Sequence, residues 1–207
     1  MSDPLDPEEE VNRLHNEKMA RRKAARDRML AAKTDERGLL IVHTGTGKGK
    51  STAAFGLTLR MLGRGHRVGV VQFIKGAWHS AERDALARFG DQVTWHTMGE
   101  GFTWETQDLK RDVMAAERAW AKALELMADP TFALVILDEL NIALRYDYLD
   151  LAAVVAALNA RPPGLHVAVT GRNAKPELIA AADLVTEMTL VKHHFAAGVK
   201  AQPGIEF

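Results

Sequence analysis

The sequence predicts an α/β fold: a mainly parallel sheet with helices on both faces, preceded by a helical arm. Three observations carry this. Short apolar runs at 39–43, 68–73, 133–137 and 166–170, with weaker ones at 92–96 and 184–188, alternate with helical stretches near 50–63, 79–89, 106–128, 147–160 and 175–182. The stronger runs are mostly apolar, as expected of strands covered on both faces. The chain has 207 residues, 47% of them hydrophobic and 26% charged, which suits one α/β domain with a sizeable core.

Lys plus Arg equals Asp plus Glu, at 27 each, so overall charge points to neither a nucleic acid nor an acidic membrane as partner. The chain has no cysteine, which excludes disulfides, cysteine zinc sites and a thiol nucleophile. The opening MSDPLDPEEE is acidic and lacks the apolar core of a signal peptide. No stretch approaches the ~18 apolar residues of a spanning helix. A cytoplasmic protein is expected.

Residues 1–10, acidic with two prolines, are expected to form a disordered tail. Residues 11–36 form the arm; within it, 11–33 are rich in Ala, Arg, Lys and Met, with no Gly or Pro, and read as a helix. Leu14, Met19, Met29 and Leu30 are too few for a deep core face. The arm is either a solvated basic helix or one that docks over a site carrying negative charge. Residues 37–207 are the main domain, without an internal repeat; Pro162-Pro163-Gly164 ends a helix before the next strand.

The first apolar run leads into Thr44-Gly45-Thr46-Gly47-Lys48-Gly49-Lys50-Ser51-Thr52 and then a helix. Strand, Gly-rich loop and helix in this order make a P-loop. Glycines let backbone N–H groups turn inward around phosphate oxygens, and the helix adds its free N–H groups and positive end. Lys50 reaches the phosphates and the Ser51 hydroxyl ligates Mg²⁺ in such a loop. Two features depart from the usual pattern: Thr44 stands where Gly is usual, and Lys48 is a second lysine. The bland reading is a plain Gly-rich turn.

The run at 132–137 ends in Asp138-Glu139, at the strand end where ligands bind in open α/β sheets. One acid would hold Mg²⁺, and the second read alone favours water activation and hydrolysis. Two acids capping a turn are the alternative. Residues 97–108, TMGEGFTWETQD, set Phe102 and Trp104 in a Gly-rich loop before a helix. They are either a core plug or a flat apolar wall for a planar ligand. The histidines show no metal-ligand spacing.

Together these motifs resemble the P-loop corrinoid (cob(I)alamin or cob(I)yrinic acid a,c-diamide) adenosyltransferases. The resemblance covers about His15 to Phe207. It rests on GTGKGKSTAAFG (45–56), GRGHRVGVVQFIKG (63–76), GFTWETQD (101–108), VILDELN (135–141), TGRNAKPELIAAADLVTEM (170–188) and the closing VKHHFAAGVKAQPGIEF. The family more often has Asn and Thr where this chain has Thr46 and Ser51, and both swaps keep a small polar residue.

The resemblance implies a RecA-like P-loop sheet and a homodimer in which the arm of one subunit covers the corrinoid site of the other. His15, Asn16 and Met19 of the arm are then candidates to touch the corrinoid. It implies transfer of the 5′-deoxyadenosyl group of ATP to Co(I), with triphosphate released, in cobalamin biosynthesis or salvage. Catalytic roles then fall to Lys50, Glu139, Phe102 and Trp104. Nucleotide contacts fall to Gly45, Thr46, Gly47, Lys48, Gly49, Lys50, Ser51, Thr52, Arg172 and Asn173. Mg²⁺, or Mn²⁺ in its place, falls to Ser51, Asp138 and Glu139. No water need be activated, so Glu139 need only serve the metal. Phe102 and Trp104 would keep the lower axial position of cobalt empty, easing reduction to Co(I) by a flavoprotein. A generic RecA-like ATPase would share the loop and acids but gives no reason for GFTWETQD. A nucleic-acid module using Arg21–Lys23 and Arg26 is disfavoured by neutral net charge.

Overall fold

The computed structural model describes residues 6–74, 80–98 and 109–206. Its contacts divide the chain into two units, Met1–Glu36 and Arg37–Phe207.

The first unit holds one helix, α1 (Pro7–Ala31). Asp6 caps it by accepting a hydrogen bond from the Glu8 N–H, Pro7 sits in the first turn where its missing N–H costs nothing, and Glu8, Glu9 and Glu10 face the positive end. The helix thus begins at Pro7 rather than at 11, and residues 7–10 are its first turn instead of disordered tail. The same acids and proline that suggest a tail are also helix-start signals. α1 buries none of its residues, and Arg13 pairs with Glu17 one turn on, at 2.7 Å.

The second unit is built on six strands: β1 (Leu40–Thr44), β2 (Arg67–Gln72), β3 (Val93–Thr97), β4 (Phe132–Asp138), β5 (His166–Thr170) and β6 (Leu184–Glu187). They lie in the order β3-β2-β4-β5-β1-β6, and every pair is parallel. This is the α/β sheet the sequence predicts, parallel throughout the described residues. Its helices are α2 (Lys50–Leu62), α3 (Ala81–Ala87), α4 (Leu109–Ala128), α5 (Leu140–Arg145), α6 (Leu151–Asn159) and α7 (Pro176–Ala181). The helix expected over 147–160 is α6, which starts only at Leu151: Asp147 takes a left-handed turn, φ 55°, and Asp150 caps α6 by accepting from the Ala153 N–H at 2.9 Å, while the short α5 before it was not expected.

Strand alternation divides the core in two. Leu40, Val42, Val71, Val135, Leu137, Val167 and Val169 face one side with α4, α5, α6 and α7, where α4 lays down Ala116, Ala119, Ala123 and Leu126. Ile41, Val68, Val70, Leu134, Ile136 and Ala168 face the other side with Ala54, Phe55 and Leu62 of α2 and Leu86 of α3. All thirteen of these strand residues are buried, which is why their runs read as mostly apolar in the sequence.

Candidate active site

The same alternation builds the site. Continuing the α2 side of each strand by one step gives Thr97 on β3, Gln72 on β2, Asp138 on β4, Thr170 on β5 and His43 on β1. Register sets Gln72 beside both Thr97 and Asp138, and His43 beside Thr170. A polar row therefore crosses the sheet at its C-terminal edge, beneath the start of α2.

Asp138 is its centre and is fully buried. Its Oδ1 accepts from Ser51 Oγ and from Thr170 Oγ1, each at 2.7 Å, and its Oδ2 accepts from Gln72 Nε2 at 2.9 Å. Gln72 is held in turn by its Oε1, which accepts from Trp95 Nε1 at 3.1 Å and Thr97 Oγ1 at 3.2 Å. A buried carboxyl is costly unless its oxygens are satisfied in this way. Ser51 Oγ and Asp138 Oδ1 form a hard-oxygen pair of the kind that suits Mg²⁺. His43 differs from the rest of the row: both ring nitrogens are buried without a hydrogen-bond partner among the described residues, and burial lowers its pKa, so the ring is neutral at physiological pH.

The loop between β1 and α2 is wound tightly against the segment after β6. The Gly47 N–H donates to the Met188 carbonyl at 2.6 Å, and the Met188 N–H to the Thr44 carbonyl at 2.9 Å. Gly45 has φ 96°, and a Cβ there would sit 2.4 Å from the Met188 oxygen, so only glycine fits. Lys50 is buried and donates its Nζ to the carbonyls of Gly45 at 2.9 Å and Gly47 at 2.5 Å. Burial lowers its pKa, Glu139 opposes that, and Arg172 and Lys48 add to it. An ammonium in that position gains from any anion that enters the loop.

Glu139 follows Asp138 in a left-handed conformation, φ 64°, that turns the chain from β4 into α5. A non-glycine residue there is uncommon. It is held by its N–H, which donates to Thr170 Oγ1 at 3.0 Å. Opposite it, Gly171 has φ 126°, and a Cβ there would meet Asn141 Cβ at 2.8 Å. The turn leaves Glu139 on the wall of a cleft of about 500 Å³ with Gly47, Lys48, Gly49, Lys50, Ser51, Thr52 and Arg172. A larger hollow of about 910 Å³ lies along α6 at Tyr148, Leu151 and Val155, away from every group of the loop. The chemistry is in the smaller one: the start of α2, a buried lysine and Arg172 can receive a polyphosphate.

Residues 36–207 match the family described as ATP:corrinoid adenosyltransferase BtuR/CobO/CobP. The chain belongs to this family. A corrinoid adenosyltransferase of Pseudomonas aeruginosa is 57% identical over 198 residues, covering 96% of this chain and 98% of its own length. One from a Sinorhizobium species is 56% identical, with 97% and 95% covered. The corrinoid adenosyltransferase CobA of Salmonella typhimurium is 48% identical, with 87% and 91% covered.

In this adenosyltransferase-family chain, most of the residues singled out from the sequence line one cleft, but not all do. Thr46 is exposed and Gly45 is buried against Met188, so neither lines it. Asp138 lies beneath Ser51 rather than on the wall. Arg172 lines the cleft, whereas Asn173, left-handed at φ 56°, turns the chain towards Ala174. Phe102 and Trp104 lie outside the described residues. Thr44, the departure from the usual loop, accepts the Ala174 N–H on its Oγ1 at 3.0 Å, which glycine could not do. Gln72 and Thr170 went unassigned in the sequence, although each ends an apolar run in a polar residue at the α2-side position, as Asp138 does. Glu206, on the cleft wall beside Lys48, left no signal, being more than 150 positions along the chain from it.

Proposed function

We propose that the chain transfers the 5′-deoxyadenosyl group of ATP to the Co(I) of a reduced corrinoid and releases triphosphate, in cobalamin biosynthesis or salvage. The observation that carries this reading is a complete phosphate loop, with Ser51 on a buried Asp138, in a chain of the ATP:corrinoid adenosyltransferase family. The electron pair of Co(I) attacks the ribose 5′-carbon, the carbon–oxygen bond breaks, and the triphosphate leaves with that bond's electrons. Charge builds on the leaving group, and that is where the loop acts. Lys50 exchanges the Gly45 and Gly47 carbonyls for phosphate oxygens, and the N–H groups at the start of α2 would face the same anion. Ser51 and Asp138, with Glu139 beside them, would hold Mg²⁺ or Mn²⁺, which when bound neutralises part of the triphosphate charge. Arg172, with Asn173 behind it, is assigned to the base or ribose side.

The remaining assignments rest on family membership. Phe102 and Trp104 wall the lower face of the corrin. The chain works as a homodimer in the cytoplasm, the arm shields the corrinoid, and a reduced flavoprotein supplies electrons. Excluding water matters because Co(I) is easily oxidised.

The test is phosphorus NMR of the products from ATP and chemically reduced corrinoid. Intact triphosphate, formed only with corrinoid present, is expected. ADP and phosphate, formed equally fast without corrinoid, would instead make the chain a RecA-like ATPase.

A further inference from the structure

The segment that closes the chain folds back onto the phosphate loop, and the reaction above gives it no task. Glu206 pairs through Oε2 with the Nζ of Lys48, the loop's second lysine. Its Oε1 faces His194 Nε2 at 3.4 Å, and neither atom has a hydrogen-bond partner among the described residues. The Glu206 side chain is only 9% exposed, while that of Lys48 is 51% exposed. Gly204, Ile205 and Glu206 form part of the wall of the cleft that Lys50 and Ser51 also line. The hydrogen bond from Lys48 holds the Glu206 carboxyl below the usual carboxylate range, so it is an anion at neutral pH. A carboxylate thus stands in a cleft built to take phosphate, on a cation that phosphate would also seek.

The nearest competing use is a metal centre, since donor atoms of His193, His194 and Glu206 lie within 4.8 Å of one another. The hydrogen bonds argue against it. His193 Nδ1 accepts from the Phe195 N–H at 3.1 Å, which leaves the proton of a neutral ring on Nε2, and one Glu206 oxygen is already taken by a lysine. A cation would have to displace both arrangements.

We propose that Glu206 is an internal stand-in for phosphate: residues 203–206 form a strap that holds Lys48 in the empty site and releases it when a triphosphate enters. This rests on the loop being the ATP site. Lys48 cannot serve both anions fully, so strap docking and nucleotide binding each weaken the other by the same factor. The strap also favours product release, because its return to Lys48 competes with the triphosphate left behind. With Lys48 half exposed, the coupling belongs at the low end of the usual range, about 5-fold.

The experiment is calorimetric binding of ATP, and separately of inorganic triphosphate, to the full chain and to Glu206→Gln, Lys48→Met and the double variant. Glu206→Gln is expected to tighten both ligands about 5-fold, and the same change made in the Lys48→Met background is expected to do nothing. A chain truncated after Gln202 should match Glu206→Gln. Unchanged or weaker binding in Glu206→Gln, with the unaltered chain binding ATP normally, overturns the strap and leaves the ATP site standing. An unaltered chain that binds no ATP overturns both. Tight zinc binding that Glu206→Gln abolishes overturns the strap in favour of a metal centre.

Discussion

Replacing Gln72 by leucine tests whether the polar row is what keeps Asp138 in place. Gln72 is 2% exposed, and its amide joins Asp138 on one side to Trp95 and Thr97 on the other. Leucine keeps most of the volume, so the loss is in hydrogen bonding. A bond to a buried carboxylate is worth about 1.5–3 kcal/mol. Trp95 Nε1 and Thr97 Oγ1 lose a shared acceptor but stay 3.2 Å from each other, which limits their part to about 1 kcal/mol. The sum is about 3 kcal/mol, which in a chain of this size lowers Tm by about 6–12 °C. Urea and thermal melts followed by circular dichroism read it directly. Gln72→Glu is the companion: it sets a second carboxylate against Asp138, and two such groups share a proton, which raises the pKa of the pair. A raised folded-state pKa contributes stability that is present at low pH and lost as pH rises through it. A Gln72→Leu protein within about 0.5 kcal/mol of the parent, or a Gln72→Glu protein whose melts match the parent's at every pH, would refute the reasoning.

Lys50→Ala is expected to lower kcat by about 100-fold or more, as for a group that stabilises developing charge. The protein should still fold, because Lys50 stands at the junction of loop and helix and its Nζ bonds only loop carbonyls; near-normal kcat would show that the loop does not meet the triphosphate. Asp183 ties the starts of β1 and β6: the Leu40 N–H donates to it at 2.8 Å, and Arg37 and Arg161 pair with it at 2.6 and 3.0 Å. That hydrogen bond first, and then the two guanidinium groups, hold its carboxyl below the usual range. The stability it contributes is therefore present above the usual carboxylate pKa and lost as pH falls through the lowered one. Asp183→Asn should cost about 1–2 kcal/mol at neutral pH, allowing for solvent screening at exposed Arg37. In urea melts that gap should close in acid; a gap constant with pH would mean the loss is steric.

The strands, the phosphate loop and the acidic strand end were legible in the sequence because each is local. An apolar run, a Gly-rich loop and a pair of acids each declare themselves within ten residues. The start of α1 was misplaced because Asp6, Pro7 and the acids after them serve equally as tail composition and as helix cap. The short α5 was missed because its six residues follow directly on the acidic strand end, and the late start of α6 depends on a left-handed Asp147, which the sequence tolerates without demanding. Thr44 looked like a defect of the loop and proved to be a hydrogen-bond acceptor for Ala174, 130 residues away. Gln72 and Thr170 could have been found by extending the two-residue alternation one step past each apolar run. Glu206 could not, since its pairing with Lys48 depends on the path of the closing segment.

The strand order explains why this row is needed. β5 stands between β1, which carries the loop, and β4, which carries the acids. Two strand spacings, about 9–10 Å, separate the two ends, too far for a side chain leaving β1 to meet Asp138. The gap is closed from above and from within the sheet. From above, α2 packs on β1, β5, β4 and β2, so its first turn carries Ser51 across to Asp138. Within the sheet, Thr170 at the end of the intervening β5 uses one hydroxyl twice: it donates to Asp138 Oδ1 and accepts from the Glu139 N–H. That second bond steadies the left-handed turn that sends Glu139 to the cleft wall while Asp138 stays buried. Two adjacent acids thereby acquire different surroundings, one fixed under the serine and one facing the space a nucleotide would fill. A single threonine hydroxyl on a strand that carries neither motif sets that division.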